Sequence, residues 1–148
     1  MIEFNRLRPE DTNIEQAIGA TEDEALFHIF NEPALNTFDP NEVKNILNTE
    51  KYSLIETKSL SVKPLYNVLQ NQNITQPIDF MSIDVEGLDL EVLKGNDWNK
   101  YRPELLLIEL LNFNISEAST HETVIFLNNM GYVLFAKTFN TVFFKKIR

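Results

Sequence analysis

The order of apolar and polar positions predicts a chain in which strands and helices alternate. Runs rich in apolar and β-branched residues predict strands at NIEQAIG, EALFHIF (Glu24–Phe30), YSLIETKSLSV, PIDFMSIDV and ELLLIELL. Apolar residues at helical spacing predict helices at MIEFNRLR, DPNEVKNIL, PLYNVLQ and LDLEVLKG, and after STHE. The closing YVLFAKTFNTVFFKKI has two apolar runs around FNT, which predicts an antiparallel hairpin.

Two of the helices carry start signals. Asp39 can cap a helix whose first position is Pro40, and Glu42 supplies an acid in its first turn. Ser119 and Glu122 have the spacing of a capping box, and Gly131 is placed to end the helix that follows.

The second half of the chain predicts parallel strands. PIDFMSIDV and ELLLIELL are apolar on both faces, which suits strands that helices cover on both sides. The helix between them completes a strand, helix, strand crossover. We therefore expect residues 1–148 to form a single α/β domain, a usual length for one.

Carboxylates stand where the first of these strands ends. Side chains alternate along a strand, so Asp84 and Glu86 share a face about 7 Å apart if the strand continues that far. Glu109 ends the neighbouring parallel strand, and ligands of open α/β sheets bind outside the carboxyl ends of the strands. Gly87 allows a sharp turn into the next helix.

These acids have two interpretations. They can serve a site, because buried strands rarely end in carboxylates without partners, and ligand hydroxyls, an ammonium group or a metal would be such partners. They can also do no more than stabilise the following helix through its dipole, which is how we interpret Asp89 and Glu91.

Composition excludes several classes of function. The chain has no cysteine, a net charge of −9 and scattered basic residues, which excludes disulfides and thiolate chemistry and disfavours nucleic-acid binding. No apolar run approaches the ~20 residues of a membrane span, and the N-terminus is too polar for a signal peptide, so we expect a cytoplasmic protein. His28 and His121 have no metal-binding spacing, and we interpret His121 as a surface residue.

The segment IDFMSIDVEGLDLEVLKGNDWNKYRPELLLIEL resembles the central signature of the FkbM-type methyltransferases. Its pieces IDVEG, EVLKG and RPELLLIE follow in the family's order and spacing, and FNRLRPEDTNIEQAIG resembles the stretch around the family's third strand. These are class I enzymes with a Rossmann-like sheet, which transfer a methyl group from S-adenosylmethionine, typically to a hydroxyl.

The resemblance implies roles for four residues. Asp84 would face the methionine end of S-adenosylmethionine or the acceptor, and Glu86 would orient the acceptor hydroxyl or take its proton. Ile18 would lie near the adenine of the cofactor. We add Glu109 as a third candidate catalytic residue. The acceptor would be a small molecule, a glycan, a lipid or a peptide that bears a hydroxyl group.

The chain also departs from the family pattern. Its four glycines, at 19, 87, 95 and 131, form no glycine-rich turn of the kind that holds the cofactor's carboxypropyl end. Two strand–helix units of about 30 residues each lack counterparts. We therefore expect an incomplete class I sheet that corresponds to the C-terminal two-thirds of the family domain, either a fragment or a shortened relative.

An incomplete sheet has consequences for strand pairing. The class I order is third, second, first, fourth, fifth, seventh, sixth, so PIDFMSIDV would lose its neighbour on one side. An apolar edge favours pairing, so we expect NIEQAIG or YSLIETKSL to lie beside it, or two chains to pair there as a homodimer. Two other functions stay open: a non-catalytic α/β module, and a magnesium-dependent hydrolase that uses Asp84, Glu86 and Glu109.

Overall fold

The computed structural model describes residues 2–147. Its helices are Ile2–Leu7 (α1), Pro40–Asn48 (α2), Leu65–Asn71 (α3), Asp89–Lys94 (α4) and Glu122–Asn129 (α5). Its strands are Ala17–Gly19 (β1), Asp23–Phe30 (β2), Leu54–Pro64 (β3), Phe80–Ile83 (β4), Leu105–Glu109 (β5), Tyr132–Lys137 (β6) and Thr141–Lys146 (β7). Short 3-10 helices occur at Pro33–Leu35 and Ile115–Glu117. No helix in this described part is long and apolar enough to cross a membrane.

By their contacts these residues form two compact units. One takes the chain up to Ile18 and Glu22–Lys63; the other takes Gly19–Thr21 and the chain from Pro64 onwards. The first unit contains a three-stranded sheet in the order β1-β3-β2, with β2 antiparallel to β3. Helix α2 begins as predicted, because the Asp39 side chain accepts a hydrogen bond of 2.7 Å from the backbone N–H of Asn41.

The second unit contains a four-stranded sheet in the order β4-β5-β7-β6. β4 and β5 are parallel and α4 lies between them in the chain, so the predicted crossover is confirmed. β6 and β7 form the predicted antiparallel hairpin, and β7 pairs with β5. The fold is therefore mixed α/β with one parallel strand pair.

The core of the second unit forms around the segment that follows α4. Trp98 is buried and donates a hydrogen bond of 3.0 Å from Nε1 to the carbonyl of Leu93. Its ring meets the Tyr132 ring edge-on at 5.5 Å, and the Tyr132 hydroxyl donates to the carbonyl of Pro103 at 2.7 Å. Burial raises the pKa of Tyr132 to about 12, so this hydroxyl stays a donor throughout the physiological range. These contacts fix the crossover against the sheet.

Three expectations need correction. β4 ends at Ile83, so Asp84 and Glu86 lie in the turn after the strand. NIEQAIG or YSLIETKSL was expected beside β4, but these segments form β1 and β3 of the other sheet. Among the described strands β4 pairs only with β5. A homodimer through that edge stays a prediction. The capping box is also wrong: α5 starts at Glu122 with His121 as N-cap and no side-chain cap, because Ser119 lies too far upstream.

We predict that Gly95→Ala destabilises the second unit by roughly 2–3 kcal/mol, the range of overpacked positions. A Cβ atom at Gly95 would collide with the backbone carbonyl oxygen of Gly19, which no side-chain rotation relieves. Urea unfolding measures the loss. Gly87→Ala is the matched comparison, since its Cβ would meet open space and only its φ of +91° opposes alanine. It should cost about 1 kcal/mol. An equal or smaller loss for Gly95→Ala would contradict the predicted collision.

Candidate active site at the carboxyl ends of β4 and β5

The turn between β4 and α4 has an unusual backbone. Glu86 has φ 53° and Gly87 has φ 91°, and the N–H of Leu88 donates to the carbonyl of Val85 at 3.3 Å. Two successive positive φ angles inside such a bond have the φ signature of a type I′ turn. Glycine is favoured at the second position, whereas a glutamate at the first costs of order 1 kcal/mol. The chain therefore holds Glu86 in a conformation that its residue type disfavours.

This turn brings the three predicted carboxylates together. One carboxylate oxygen from each of Asp84, Glu86 and Glu109 lies within 4.8 Å of the other two. Asp84 and Glu86 are exposed and Glu109 is half-buried. The convergence predicted from the parallel strands is thus present, and Glu86 reaches it through the turn rather than by strand alternation.

Glu109 occupies the most enclosed position in this carboxylate cluster. The Asn140 side chain donates to its Oε1 in a long hydrogen bond of 3.4 Å, while Oε2 is buried and has no donor among the described residues. The pKa of Glu109 is raised, first by burial and then by the negative charges of Asp84 and Glu86. Asp84 raises it further because a protonated Glu109 would donate to it, whereas Asn140 opposes the rise by donating to Oε1.

Two further polar residues near the cluster differ from what the sequence indicated. Asp89, interpreted as a helix-dipole acid, is only 3% exposed. His121, interpreted as a surface residue, is half-buried, with an enclosed Nδ1 and its ring edge-on to Phe113 at 5.1 Å. Asn140 was not anticipated at all. Asp89 and His121 Nδ1 are enclosed where the start of α4 meets the end of β5 and the start of α5, and no spacing rule reports such packing.

The cluster supports two kinds of chemistry. A carboxylate whose pKa is raised towards neutrality is a suitable general base for an acceptor hydroxyl. Three converging carboxylate oxygens are also the ligands that magnesium prefers. Ile18 lies half-buried in β1 and belongs to the other unit, so its predicted place near a cofactor adenine stays a prediction.

Comparison with known proteins identifies the family. The family model described as "Methyltransferase FkbM domain" matches residues 2–134, nearly the whole chain and both units. No curated protein and no solved structure matches the chain.

We predict that Glu109 makes stability fall as the pH rises. The folded chain keeps the Glu109 proton above the ordinary pKa of 4.5, at which the unfolded chain releases it, so the folded state binds more protons in that window. The stabilisation is complete below 4.5 and is lost as the pH rises through the raised pKa. Glu109→Gln should remove this loss and, above the window, unfold at a higher urea concentration than the wild type.

The control for this prediction is Glu117→Gln, the same change at an exposed glutamate of the same unit. It removes one negative charge without touching the carboxylate cluster, and it should shift the urea midpoint little at any pH. If the difference between Glu109→Gln and the wild type does not grow between pH 4 and pH 8, the crowding of Glu109 has no effect on folding.

Proposed function

The chain belongs to the FkbM methyltransferase family, and we propose that it takes part in S-adenosylmethionine-dependent O-methylation of a hydroxyl-bearing small molecule, glycan or lipid. The carboxylate cluster is the observation that carries the proposal. It lies at the carboxyl ends of the parallel strands, where α/β sheets bind their ligands. A methyl group moves to oxygen only if the hydroxyl gives up its proton, and the cluster offers acceptors for that proton.

Glu109 is the residue that we assign to proton removal. Its pKa is raised by burial and by two neighbouring carboxylates, which makes it a stronger base at neutral pH than an ordinary glutamate. Its Oε2 has no donor within the described residues, so an acceptor hydroxyl can donate to it without displacing an existing bond. In the reaction the O–H proton would pass to this oxygen as the acceptor oxygen bonds to the methyl carbon and the carbon–sulfur bond breaks, which leaves the methyl ether and S-adenosylhomocysteine.

Asp84 and Glu86 have supporting roles in this proposal. Both are exposed, so water screens their charges, and each lies close enough to Glu109 to contact the same small ligand. We assign Glu86 to orientation of the acceptor hydroxyl, for which the left-handed turn positions it. Asp84 would accept hydrogen bonds from the acceptor or from the ammonium group of the cofactor.

The residues fit the acceptor side of the reaction better than the cofactor side. S-adenosylmethionine would supply the methyl group, and its carboxylate is normally held by backbone N–H groups of a glycine-rich turn. Gly87 and Gly131 are the glycines with positive φ in the described residues, and neither lies in such a turn. We therefore assign no residue of this chain to the cofactor's carboxylate.

The cluster geometry also favours a second candidate, a magnesium-dependent hydrolase. Three oxygens within 4.8 Å can close around one divalent cation with small side-chain movements. The two functions differ in what they need. A hydrolase would lose activity with a chelator and need no methyl donor, whereas methyl transfer through Glu109 would release S-adenosylhomocysteine with or without the metal. A non-catalytic module would show neither chelator-sensitive hydrolysis nor release of S-adenosylhomocysteine.

We predict that Glu109→Gln lowers methyl transfer by about 100-fold, the usual effect of losing a general base. The measurement is S-adenosylhomocysteine release at millimolar S-adenosylmethionine with a panel of hydroxylated sugars, lipids and peptides. Glu86→Gln should raise KM for the acceptor and leave kcat within about tenfold. If instead Glu86→Gln abolishes turnover and Glu109→Gln does not, the roles of the two residues are reversed. No release from any acceptor would contradict methyl transfer and leave the hydrolase and the non-catalytic module, which a chelator-sensitive hydrolysis assay with magnesium separates.

We also predict that this chain binds S-adenosylmethionine only at millimolar concentration or above. Several backbone hydrogen bonds to the cofactor's carboxylate are missing at about 1 kcal/mol each, and every 1.4 kcal/mol reduces affinity tenfold. Titration calorimetry measures the affinity. Adenosine, which lacks the methionine part, is the control ligand and should bind about as weakly. Micromolar binding of S-adenosylmethionine would mean that residues other than a glycine-rich turn hold its carboxylate.

A further inference from the structure

A small polar cavity adjoins the carboxylate cluster and shares Glu109 with it. It has a volume of about 180 Å³ and lies between the starts of α4 and α5 and the end of β5. Its polar lining comes from Asp89, Glu109, His121, Glu122 and Thr123. A cavity of about 150 Å³ holds a benzene molecule, so this one has room for a fragment of about that size, such as the amine and the neighbouring hydroxyl of a larger ligand whose remainder lies outside it.

Asp89 is the most unusual residue in this cavity. It is only 3% exposed, and neither of its carboxylate oxygens has a hydrogen-bond partner among the described residues. Burial raises its pKa; the backbone N–H groups of Asp89, Gly87 and Val85 lie near enough to oppose the rise but do not meet hydrogen-bond geometry. Asp89 therefore has N–H groups nearby but no direct hydrogen bond within the described part of the chain, and a buried carboxylate in that state is costly. A ligand that brings donors would remove this cost.

Two more acceptors in the cavity lack donors. Glu109 Oε2 and His121 Nδ1 are both buried and without a partner in the part of the chain described. Nδ1 is an acceptor when the ring proton is on Nε2. These atoms and the Asp89 carboxylate do not form a group within 4.8 Å of one another, unlike Asp84, Glu86 and Glu109. A single ion therefore cannot contact all three, whereas a ligand with several spaced donors can.

The charge of the cavity indicates the kind of donor. Asp89, Glu109 and Glu122 contribute three carboxyl groups, and no Lys or Arg is among the described lining residues. The starts of α4 and α5, helices of six and eight residues, contribute at most partial positive charges, which do not balance three carboxylates. A primary ammonium group supplies both a positive charge and three N–H donors, and a hydroxyl supplies only one donor.

We propose that this cavity binds a small amino alcohol or amino sugar, with its ammonium group on Asp89 and a hydroxyl directed towards Glu109. The assignment of this ligand as the methyl acceptor rests on the proposed function, but the binding itself does not. A protonated ammonium group has no lone pair, so it anchors the ligand and cannot accept a methyl group. The hydroxyl beside Glu109 is then the group that reacts.

Glucosamine and glucose are the probes that test this proposal, because they differ only by an ammonium group in place of a hydroxyl. Titration of ¹⁵N-labelled chain at low ionic strength, followed by NMR, gives both affinity and location. We expect saturable glucosamine binding in the millimolar range, at least tenfold tighter than glucose. The amide signals that shift should belong to Gly87, Leu90 and Thr123, which line the cavity.

Asp89→Asn should weaken glucosamine binding at least tenfold and leave the weak glucose binding unchanged. Asp79→Asn is the matched control, since it makes the same change at an exposed aspartate of the same unit and should bind like the wild type. Circular dichroism verifies that both variants fold. If Asp89→Asn does not fold, the proposal is tested by whether glucosamine shifts the amide signals of the cavity residues in the wild-type chain.

Equal affinity for glucose and glucosamine, shifts that lie outside the cavity, or no saturable binding of glucosamine would each overturn the proposal. The methyl-transfer assay separates this outcome from failure of the proposed function. Glucosamine binding in the cavity without methyl transfer to any acceptor overturns the function and leaves the site. Methyl transfer without preference for amine-bearing acceptors overturns the assignment of the bound ligand as the methyl acceptor and leaves the function, while the binding site is decided by the glucosamine titration.

Discussion

The parallel pairing of β4 with β5 is the constraint on which the rest of the second unit depends. Its register runs from Phe80 opposite Leu105 to Ile83 opposite Ile108, so both strands end at the same edge of the sheet. A parallel pair needs a crossover, and α4 with the segment around Trp98 provides one that is packed against Tyr132. If this pairing were antiparallel, Asp84 and Glu109 would lie at opposite ends of the strands, and no carboxylate cluster would form.

The three crowded carboxylates repel one another, which opposes folding, and the effect of this repulsion differs among the three residues. Like charges within 4.8 Å repel, but two of the three side chains are exposed to water, which screens them. The unfavourable effect therefore falls on Glu109, whose pKa rises because burial adds to the repulsion. Asn140 offsets a part of it from the turn between β6 and β7. Perturbed acids gathered at a ligand-binding edge are a common property of functional sites, and here they coincide with membership of a methyltransferase family.

The sequence predicts the parts of this site that follow from chain direction. Continuous apolar runs identify β4 and β5 as parallel strands, and the acids at their ends then meet. The expectation that both faces of both strands are covered is wrong for β4, where Phe80 is 62% exposed, whereas Leu106 and Ile108 of β5 are buried. The turn conformation is only half predictable: Gly87 indicates a sharp turn, but the left-handed backbone of Glu86 is unfavourable for its residue type. Asp89 fits the rule for helix-dipole acids, and nothing near it in sequence reveals that β5 and the start of α5 enclose it. Ser119 is a case in which a sequence rule predicts a feature that the structure lacks. Its spacing to Glu122 is that of a capping box, but α5 starts only at Glu122, three residues after Ser119.

Glu109 links the two halves of the candidate site, because it belongs to the carboxylate cluster and also lines the cavity beside Asp89. Its charge therefore responds to whatever occupies either place. A cation held in the cavity would lower the pKa of Glu109 by opposing the repulsion from Asp84 and Glu86, whereas an uncharged ring would raise it further by excluding water. The first effect favours an ionised Glu109 that can receive a proton, and the second favours a protonated one that cannot. An acceptor with an ammonium group would thus bind and ionise the base in the same step, which gives a physical reason for a buried carboxylate in the cavity that Glu109 also lines.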